Sequence, residues 1–152
     1  MRSALKGAVC VIILVSMGGL AFAEFATPDD AIQYRQSVMT VIGEHFGRIA
    51  AVVTGQSPLN RKALEHNTLI LRTMAELPWE ACMVPGSQKG KTTLKASVMK
   101  EKDDFMAKAR QFESATTKLD ETAKSGDLTA VGTQFGEVAK SCKDCHTTYR
   151  NL

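Results

Sequence analysis

The chain has few aromatic residues and few strand-forming runs: Phe, Trp and Tyr make up only 6% of its 152 residues. Alanine, lysine, leucine, methionine and glutamate predominate, which favours an all-α fold. The net charge of +3 is too small for a dedicated nucleic-acid binder, and no basic run is interleaved with aromatic side chains. Apolar residues at 44% and charged residues at 23% are an ordinary globular balance, which excludes a fully disordered chain.

No apolar run is long enough for a transmembrane helix, but the N-terminus has the pattern of a secretory leader. Arg2 and Lys6 precede an uncharged apolar run of 13 residues, 8–20, whereas a spanning helix needs about 20. The sequence Ala-Phe-Ala at 21–23 then matches a signal-peptidase cleavage site. We predict that residues 1–23 are a cleaved signal peptide; a retained anchor is the alternative.

Cleavage would leave one domain, residues 24–152, in the periplasm, with no membrane attachment of its own. This domain has three cysteines, Cys82, Cys142 and Cys145. An odd number of cysteines in an oxidising compartment calls for a role other than simple disulfide pairing.

Apolar residues recur at steps of three and four in four segments, and each recurrence predicts one buried helix face. Thr27 is a good N-cap for the first segment, and Pro28 suits its first turn. Pro78 ends the second segment, and Gly126 with Asp127 separates the last two. The predicted helices are 27–53, 59–77, 94–125 and 128–149. Together they predict an antiparallel four-helix bundle of up-down-up-down order. Residues 78–93 form a long connection, and such loops often have a functional role.

The strongest motif is Cys142-Lys-Asp-Cys145-His146 in the last helix, which has the C-x-x-C-H pattern of c-type haem attachment. Two thiols three residues apart on a helix can reach the two vinyl groups at one edge of the porphyrin. The next residue then directs its imidazole at the iron. We therefore predict one covalent haem c on Cys142 and Cys145, with His146 as the proximal axial ligand.

Two other interpretations of these cysteines have less support in the sequence. A thioredoxin-like pair lies after a strand at a helix N-terminus, and no strand pattern is present here. A zinc site would need a second ligand pair, and only Cys82 is available besides the motif. Cys82 itself is either a small buried residue or a thiol that cross-links subunits.

The motif and several other segments resemble the cytochrome c′ family. The similar segments are Cys-Lys-Asp-Cys-His-Thr-Thr-Tyr-Arg at 142–150, Tyr-Arg-Gln-Ser-Val-Met at 34–39, His-Phe-Gly-Arg at 45–48 and Leu-Pro-Trp at 77–79. The resemblance extends over essentially the whole mature chain, and 80–97 departs most from the family.

The resemblance implies a haem inside the bundle, five-coordinate iron, binding of nitric oxide and carbon monoxide, and a homodimer through the first two helices. It implies a role in electron transfer with a periplasmic redox partner, or in nitric oxide handling. By resemblance, Arg35 and Gln36 contact the haem propionates, and Arg150 lies beside the proximal histidine. The residues support Arg35 independently, because an arginine on a buried seam needs an anion; snorkelling to a surface carboxylate is the alternative.

Met39 occupies the position of the family's distal-face residue, and its chemistry leaves the function open. Its thioether can cover the iron without bonding, or ligate it as in the related low-spin cytochromes c556, or serve as core filler. We favour an open sixth site, because the flanking residues resemble cytochrome c′.

We do not expect an enzyme such as a peroxidase, because that chemistry needs a general base in a polar distal pocket. His45 and His66 are expected at the surface. The expected distal lining is apolar: Met39, Ile42, Phe46 and Trp79.

Overall fold

A computed structural model describes residues 25–151, so the predicted signal peptide, 1–23, lies outside the described residues. Within this range there are five α-helices and one 3₁₀ helix. Their bounds are α1 Pro28–Val53, α2 Arg61–Met74, α3 Trp79–Met83, the 3₁₀ helix Ala96–Met99, α4 Lys102–Ser125 and α5 Leu128–Tyr149. None of the helices in residues 25–151 has the length and apolarity that a membrane span requires.

The four long helices form the predicted all-α, antiparallel four-helix bundle. Helix α1 packs on α2, α2 on α4 and α4 on α5, whereas α1 and α5 contact each other sparsely. The rings of Phe46 on α1 and Phe135 on α5 stack at one level of this open side. The bundle is therefore closed on three sides and leaves space between α1 and α5.

Local capping explains why three of the helix ends lie where the sequence predicts them. The Thr27 hydroxyl accepts a hydrogen bond from the backbone N–H of Asp30, with Pro28 as the first residue of α1. Gly126 ends α4 at φ +73°, a left-handed conformation that glycine adopts without strain. Asp127 then caps α5 by accepting from two backbone N–H groups.

The segment between α2 and α4, residues 75–101, differs from the prediction, and we call it the α2–α4 connection. Helix α2 ends at Met74 rather than at 77, and α4 begins at Lys102 rather than at 94. Val98 accounts for the second difference. It is fully buried and lies four residues before Lys102, so it extends the apolar spacing of α4, but it belongs to the 3₁₀ helix.

A buried carboxylate joins α2 to α4 on the side away from the open face. Asp120 on α4 is only 1% exposed and accepts hydrogen bonds from the Thr68 hydroxyl at 3.1 Å and from Lys124 Nζ at 2.9 Å. Arg72 Nη1 donates to Asp120 Oδ2 at 3.4 Å, the same oxygen that accepts from Lys124. The hydrogen bonds of this carboxylate join α2 to α4, the two helices opposite the open side of the bundle.

Candidate haem site

The space between α1 and α5 forms a cavity of about 630 Å³, which we call the central cavity. Helices α1, α4 and α5 supply its walls, and the α2–α4 connection contributes Trp79, Cys82 and residues 92–94. Most of its lining is apolar, and its volume is in the range of sites that hold a small molecule or cofactor.

All three motif residues line the central cavity. Cys142, Cys145 and His146 lie at steps of three and four on α5, so their side chains share one helix face. Both cysteines are half-buried free thiols. Burial raises the pKa of Cys142 to about 11 and also raises the pKa of Cys145, so both thiols are protonated at neutral pH. Burial and the charge of Arg150 lower the pKa of His146, which favours the neutral imidazole that binds metals.

Arg35 is buried at the edge of the central cavity, and its partners belong to the α2–α4 connection. It donates to the Ala81 carbonyl at 3.1 Å, to the Ser87 carbonyl at 2.5 Å and to the Thr92 hydroxyl at 2.6 Å. The alternative of an arginine that snorkels to a surface carboxylate is therefore wrong. These uncharged oxygens use three of the five guanidinium N–H donors, so donors remain for an anion in the cavity.

Trp79 is the second polar group that points to a ligand. Its indole is 7% exposed and packs edge-on against Phe105 and Phe112, with ring centroids 6.0 and 6.1 Å away. Its Nε1 is buried and has no hydrogen-bond partner in the part of the chain that the structure describes. Orphaned buried donors are rare in native proteins, so this N–H indicates a missing acceptor.

The remaining predicted site residues also border the central cavity. Gln36 is exposed and donates through Nε2 to the Lys91 carbonyl at 2.8 Å. Met39 is half-buried among the lining residues of α1. Arg150 follows the last residue of α5 and is exposed. Its Nε donates to the Thr93 hydroxyl at 3.2 Å.

Three other residues of metal-ligand type, Cys82, His45 and His66, are not assigned to the haem iron. Cys82 is 3% exposed, its thiol donates to the Pro78 carbonyl, and burial raises its pKa to about 12, so it is a small buried residue rather than an accessible cross-linking thiol. His45 is half-buried and bonds to Asn67, whereas His66 is exposed. No group of three or more His, Cys, Asp or Glu suited to a metal ion occurs in residues 25–151, which argues against the zinc alternative.

The structure brings two further residues to the cavity that were not predicted as site residues, Thr92 and Tyr149. Thr92 accepts from Arg35, and Tyr149 lines the cavity while its hydroxyl donates to Asp104 at 2.6 Å. Tyr149 lies on the apolar face of α5, four residues after Cys145, so the spacing predicts its burial. Thr92 lies in the α2–α4 connection, where no periodicity indicates which side chains turn inward.

These residues fit a covalent haem. Two thiols and an imidazole share one face, the walls are largely apolar, and Arg35 and Trp79 offer donors of the kind that propionates accept. A helical bundle whose C-x-x-C-H motif faces such a cavity defines a c-type cytochrome of the four-helix class.

Comparison with known proteins identifies the family. A profile of cytochrome c′ matches residues 30–150. The cytochrome c′ of Alcaligenes xylosoxydans xylosoxydans is 38% identical over 127 residues, 84% of this chain and 98% of the relative. The structure of cytochrome c′ from Rubrivivax gelatinosus covers 84% of this chain and 100% of its own, with 38% identity and a TM-score of 0.80. That from Shewanella frigidimarina covers 84% and 99%, with 31% identity and a TM-score of 0.81. The chain belongs to the cytochrome c′ family, and its cofactor is one covalently attached haem c.

Solved structures of the Alcaligenes xylosoxidans protein include complexes with diatomic gases. Nitric oxide is bound in a leucine-to-alanine variant, and carbon monoxide is bound in a leucine-to-glycine variant. The nitric oxide complex covers 85% of this chain and 99% of its own, with 38% identity and a TM-score of 0.79.

Proposed function

We propose that the protein is a periplasmic cytochrome that binds nitric oxide and carbon monoxide at the haem iron and transfers single electrons, without acting as an enzyme. The observation that carries this proposal is the composition of the central cavity. Only one imidazole, that of His146, and no carboxylate line it among the described residues. The haem supplies one-electron redox chemistry and a site for a small gas, and the protein supplies a protected, weakly polar space around it.

The residues of α1 support an open sixth site that admits only small, uncharged ligands. Beyond Arg35 and Gln36, Met39, Ile42 and Phe46 follow one another at steps of three and four, so this stretch of the α1 wall is lined mainly by apolar side chains. A diatomic gas is small enough to share this space, whereas a charged ligand would lose its hydration there. A peroxidase is disfavoured, because none of the residues 25–151 that line the cavity places a general base opposite the wall of α1.

A homodimer through the outer faces of α1 and α2 is part of this proposal. Val41 on α1 is 38% exposed and Leu69 on α2 is 50% exposed, so each of the two helices has an apolar side chain that a second copy could cover. Two other valines of α1 contribute less to this outer face, because Val38 is buried and Val52 is half-buried. Val41 and Leu69 are therefore the residues that best mark the contact.

A low-spin electron carrier of the c556 kind is the second candidate. The observation that favours it is that Met39 lines the same cavity as His146, so a thioether and an imidazole approach one space from two helices. Thioether ligation would block gas binding and stabilise ferrous iron.

Absorption spectra of the purified holoprotein in both oxidation states, with and without nitric oxide, test the proposal. A high-spin ferric spectrum that changes on addition of nitric oxide supports it. A sharply split, low-spin ferrous spectrum that does not respond to the gas refutes it in favour of the second candidate. Met39→Leu is the matched control, because leucine keeps the volume but cannot ligate iron.

A further inference from the structure

Residues 92–95 tie the C-terminal end of α5 to the α2–α4 connection, and we call them the strap. Leu94 forms an isolated antiparallel β-bridge with Arg150. The backbone N–H of Lys95 donates to the Tyr149 carbonyl at 2.9 Å. Since the last carbonyls of a helix lack partners within the helix, this contact satisfies one of them.

The side chain of Lys95 strengthens the same attachment. Its ammonium group donates to the carbonyls of Thr147 and Thr148 at 3.3 and 3.0 Å. A cation at a helix C-terminus also interacts favourably with the helix dipole. The turn of α5 that follows His146 is therefore held by the strap through both backbone and side chain.

The other end of the strap is attached to α1. The Thr92 hydroxyl accepts from Arg35 Nη2 at 2.6 Å and from the backbone N–H of Leu94 at 3.1 Å. Because Arg35 is buried and also holds two carbonyls, the strap cannot move away from α5 without breaking buried hydrogen bonds.

Between these anchors, Thr93 contacts Arg150 directly. The Thr93 hydroxyl accepts from Arg150 Nε at 3.2 Å, and the Thr93 carbonyl accepts from the backbone N–H of Asn151 at 2.8 Å. The backbone N–H of Arg150 donates to the His146 carbonyl at 3.0 Å. Arg150 is thus fixed at its backbone to the turn that bears His146 and at its side chain to the strap.

The position in which Arg150 is held matters electrostatically. Arg150 and His146 line the same cavity, and they are one helical turn apart at the C-terminal end of α5. A guanidinium stays charged at every relevant pH, so its distance from the iron affects the ferric state more than the ferrous state.

We propose that Thr93 is a positioning residue that holds the Arg150 guanidinium beside the proximal ligand and thereby raises the reduction potential of the haem. This inference rests on the proposed function only in taking His146 as the axial ligand. Thr93 belongs to the α2–α4 connection and not to α5. The proposal therefore gives a residue outside the haem-binding helix a role in setting the reduction potential.

Potentiometric titration of the holoprotein and four variants tests this role. Thr93→Val removes the acceptor, Thr93→Ser keeps it, Arg150→Gln removes the charge, and the double variant combines Thr93→Val with Arg150→Gln. We expect Thr93→Val to lower the ferrous-to-ferric ratio at a fixed applied potential about threefold. For one electron, at about 59 mV per tenfold, this corresponds to a reduction potential lower by about 28 mV. Thr93→Ser should restore the wild-type potential.

The double variant separates positioning from a general structural effect. If Thr93 acts through Arg150, the double variant has the same potential as Arg150→Gln alone. An unchanged potential in Thr93→Val, or an equal shift in the Arg150→Gln background, overturns the proposal. Wild-type protein without a haem spectrum or without gas binding would instead refute the proposed function, so the two failures are distinguishable.

Amide hydrogen exchange supplies a readout that does not depend on the haem. The N–H groups of Lys95 and Asn151 bond to backbone carbonyls, so their protection should persist in Thr93→Val. If a potential shift occurs only together with loss of this protection, and Thr93→Ser fails to restore the potential, the strap acts as structure alone and the positioning role is refuted.

Discussion

Phe46 and Phe135 stack with ring centroids 4.3 Å apart and ring planes 19° from parallel, and they join α1 to α5 directly. Phe46 is the last residue of α1 that lines the central cavity. At the other end, near Arg35, the two helices are linked through the α2–α4 connection instead. The two ends of the haem site are therefore held by different means, an aromatic pair at one end and a polar strap at the other.

Covalent attachment is the first prediction. Acid-acetone extraction should leave the colour with the protein, because thioether bonds survive this treatment. Changing both Cys142 and Cys145 to Ala should give mostly colourless protein. Cys82→Ala is the matched control and should retain covalent haem, because this buried thiol lies outside the motif. Colour in the organic layer from the wild type would contradict the prediction.

Met39→Ala should make the binding of carbon monoxide and nitric oxide faster and tighter, because the variant removes the side chain that an incoming ligand must displace. Stopped-flow kinetics measure the effect. The resting ferric spectrum should stay high-spin or shift toward bound water. The truncation should also lower the free energy of unfolding by about 2 kcal/mol, the low end for a buried methionine, because Met39 is only half-buried.

A different outcome for Met39→Ala would identify the protein as a low-spin electron carrier of the c556 kind. If the wild type is low-spin and the variant is high-spin, Met39 is an iron ligand. The reduction potential should then fall in the variant, because a thioether favours ferrous iron.

Asp120→Ala should destabilise the bundle by about 1–3 kcal/mol, because the hydrogen bonds that its buried carboxylate accepts from α2 and α4 are lost. Urea unfolding followed by circular dichroism measures the change. Glu121→Ala is the control: this neighbour is exposed, and its substitution should cost less than about 0.5 kcal/mol. Equal effects of the two variants would contradict a structural role for the buried carboxylate.

Alkaline pH should destabilise the protein through Tyr149. Burial and the hydrogen bond to Asp104 raise the pKa of Tyr149 far above its usual value of about 10. The folded state therefore keeps a proton that the unfolded state loses, so this stabilisation is complete below about pH 10 and is lost as the pH rises further. Unfolding free energies between about pH 8 and 11 should fall less steeply in Tyr149→Phe. Tyr34→Phe leaves the Asp104 contact intact and should retain the wild-type slope.

Leu69→Glu should convert the proposed homodimer into a monomer, because a charge at this exposed apolar position opposes burial against a second copy. Sedimentation equilibrium at micromolar concentration measures the mass. Leu128→Glu introduces the same charge on α5, at a residue 37% exposed, and should leave the dimer intact. A monomeric wild type would refute the dimer.

The helices and the haem motif could be predicted because their signals are local. Thr27 caps α1 through a residue three positions away, and the steps of three and four that place Cys142, Cys145 and His146 on one face are contiguous in α5. The same periodicity failed at Val98, since this buried residue lies one step of four before Lys102 but belongs to a separate 3₁₀ helix.

The partners of Arg35 could not be predicted, because burial alone does not identify them. The sequence predicted that the guanidinium needs an anion, but within the chain it bonds to the backbone carbonyls of Ala81 and Ser87, and every residue has such a carbonyl. The position of the connection decides which carbonyls approach, and no spacing rule describes it.

The contacts of Arg35 also bear on the order in which the protein assembles. Its three acceptors lie 46, 52 and 57 residues further along the chain, so they meet only when large loops close, which is a late event in folding. Helices α4 and α5, by contrast, are joined through Gly126 and Asp127 alone and pair early. We therefore expect the cysteines on α5 to be accessible before α1 has packed against the rest of the bundle. The haem would then attach to a partly folded protein, and Arg35 would make its contacts with the α2–α4 connection afterwards.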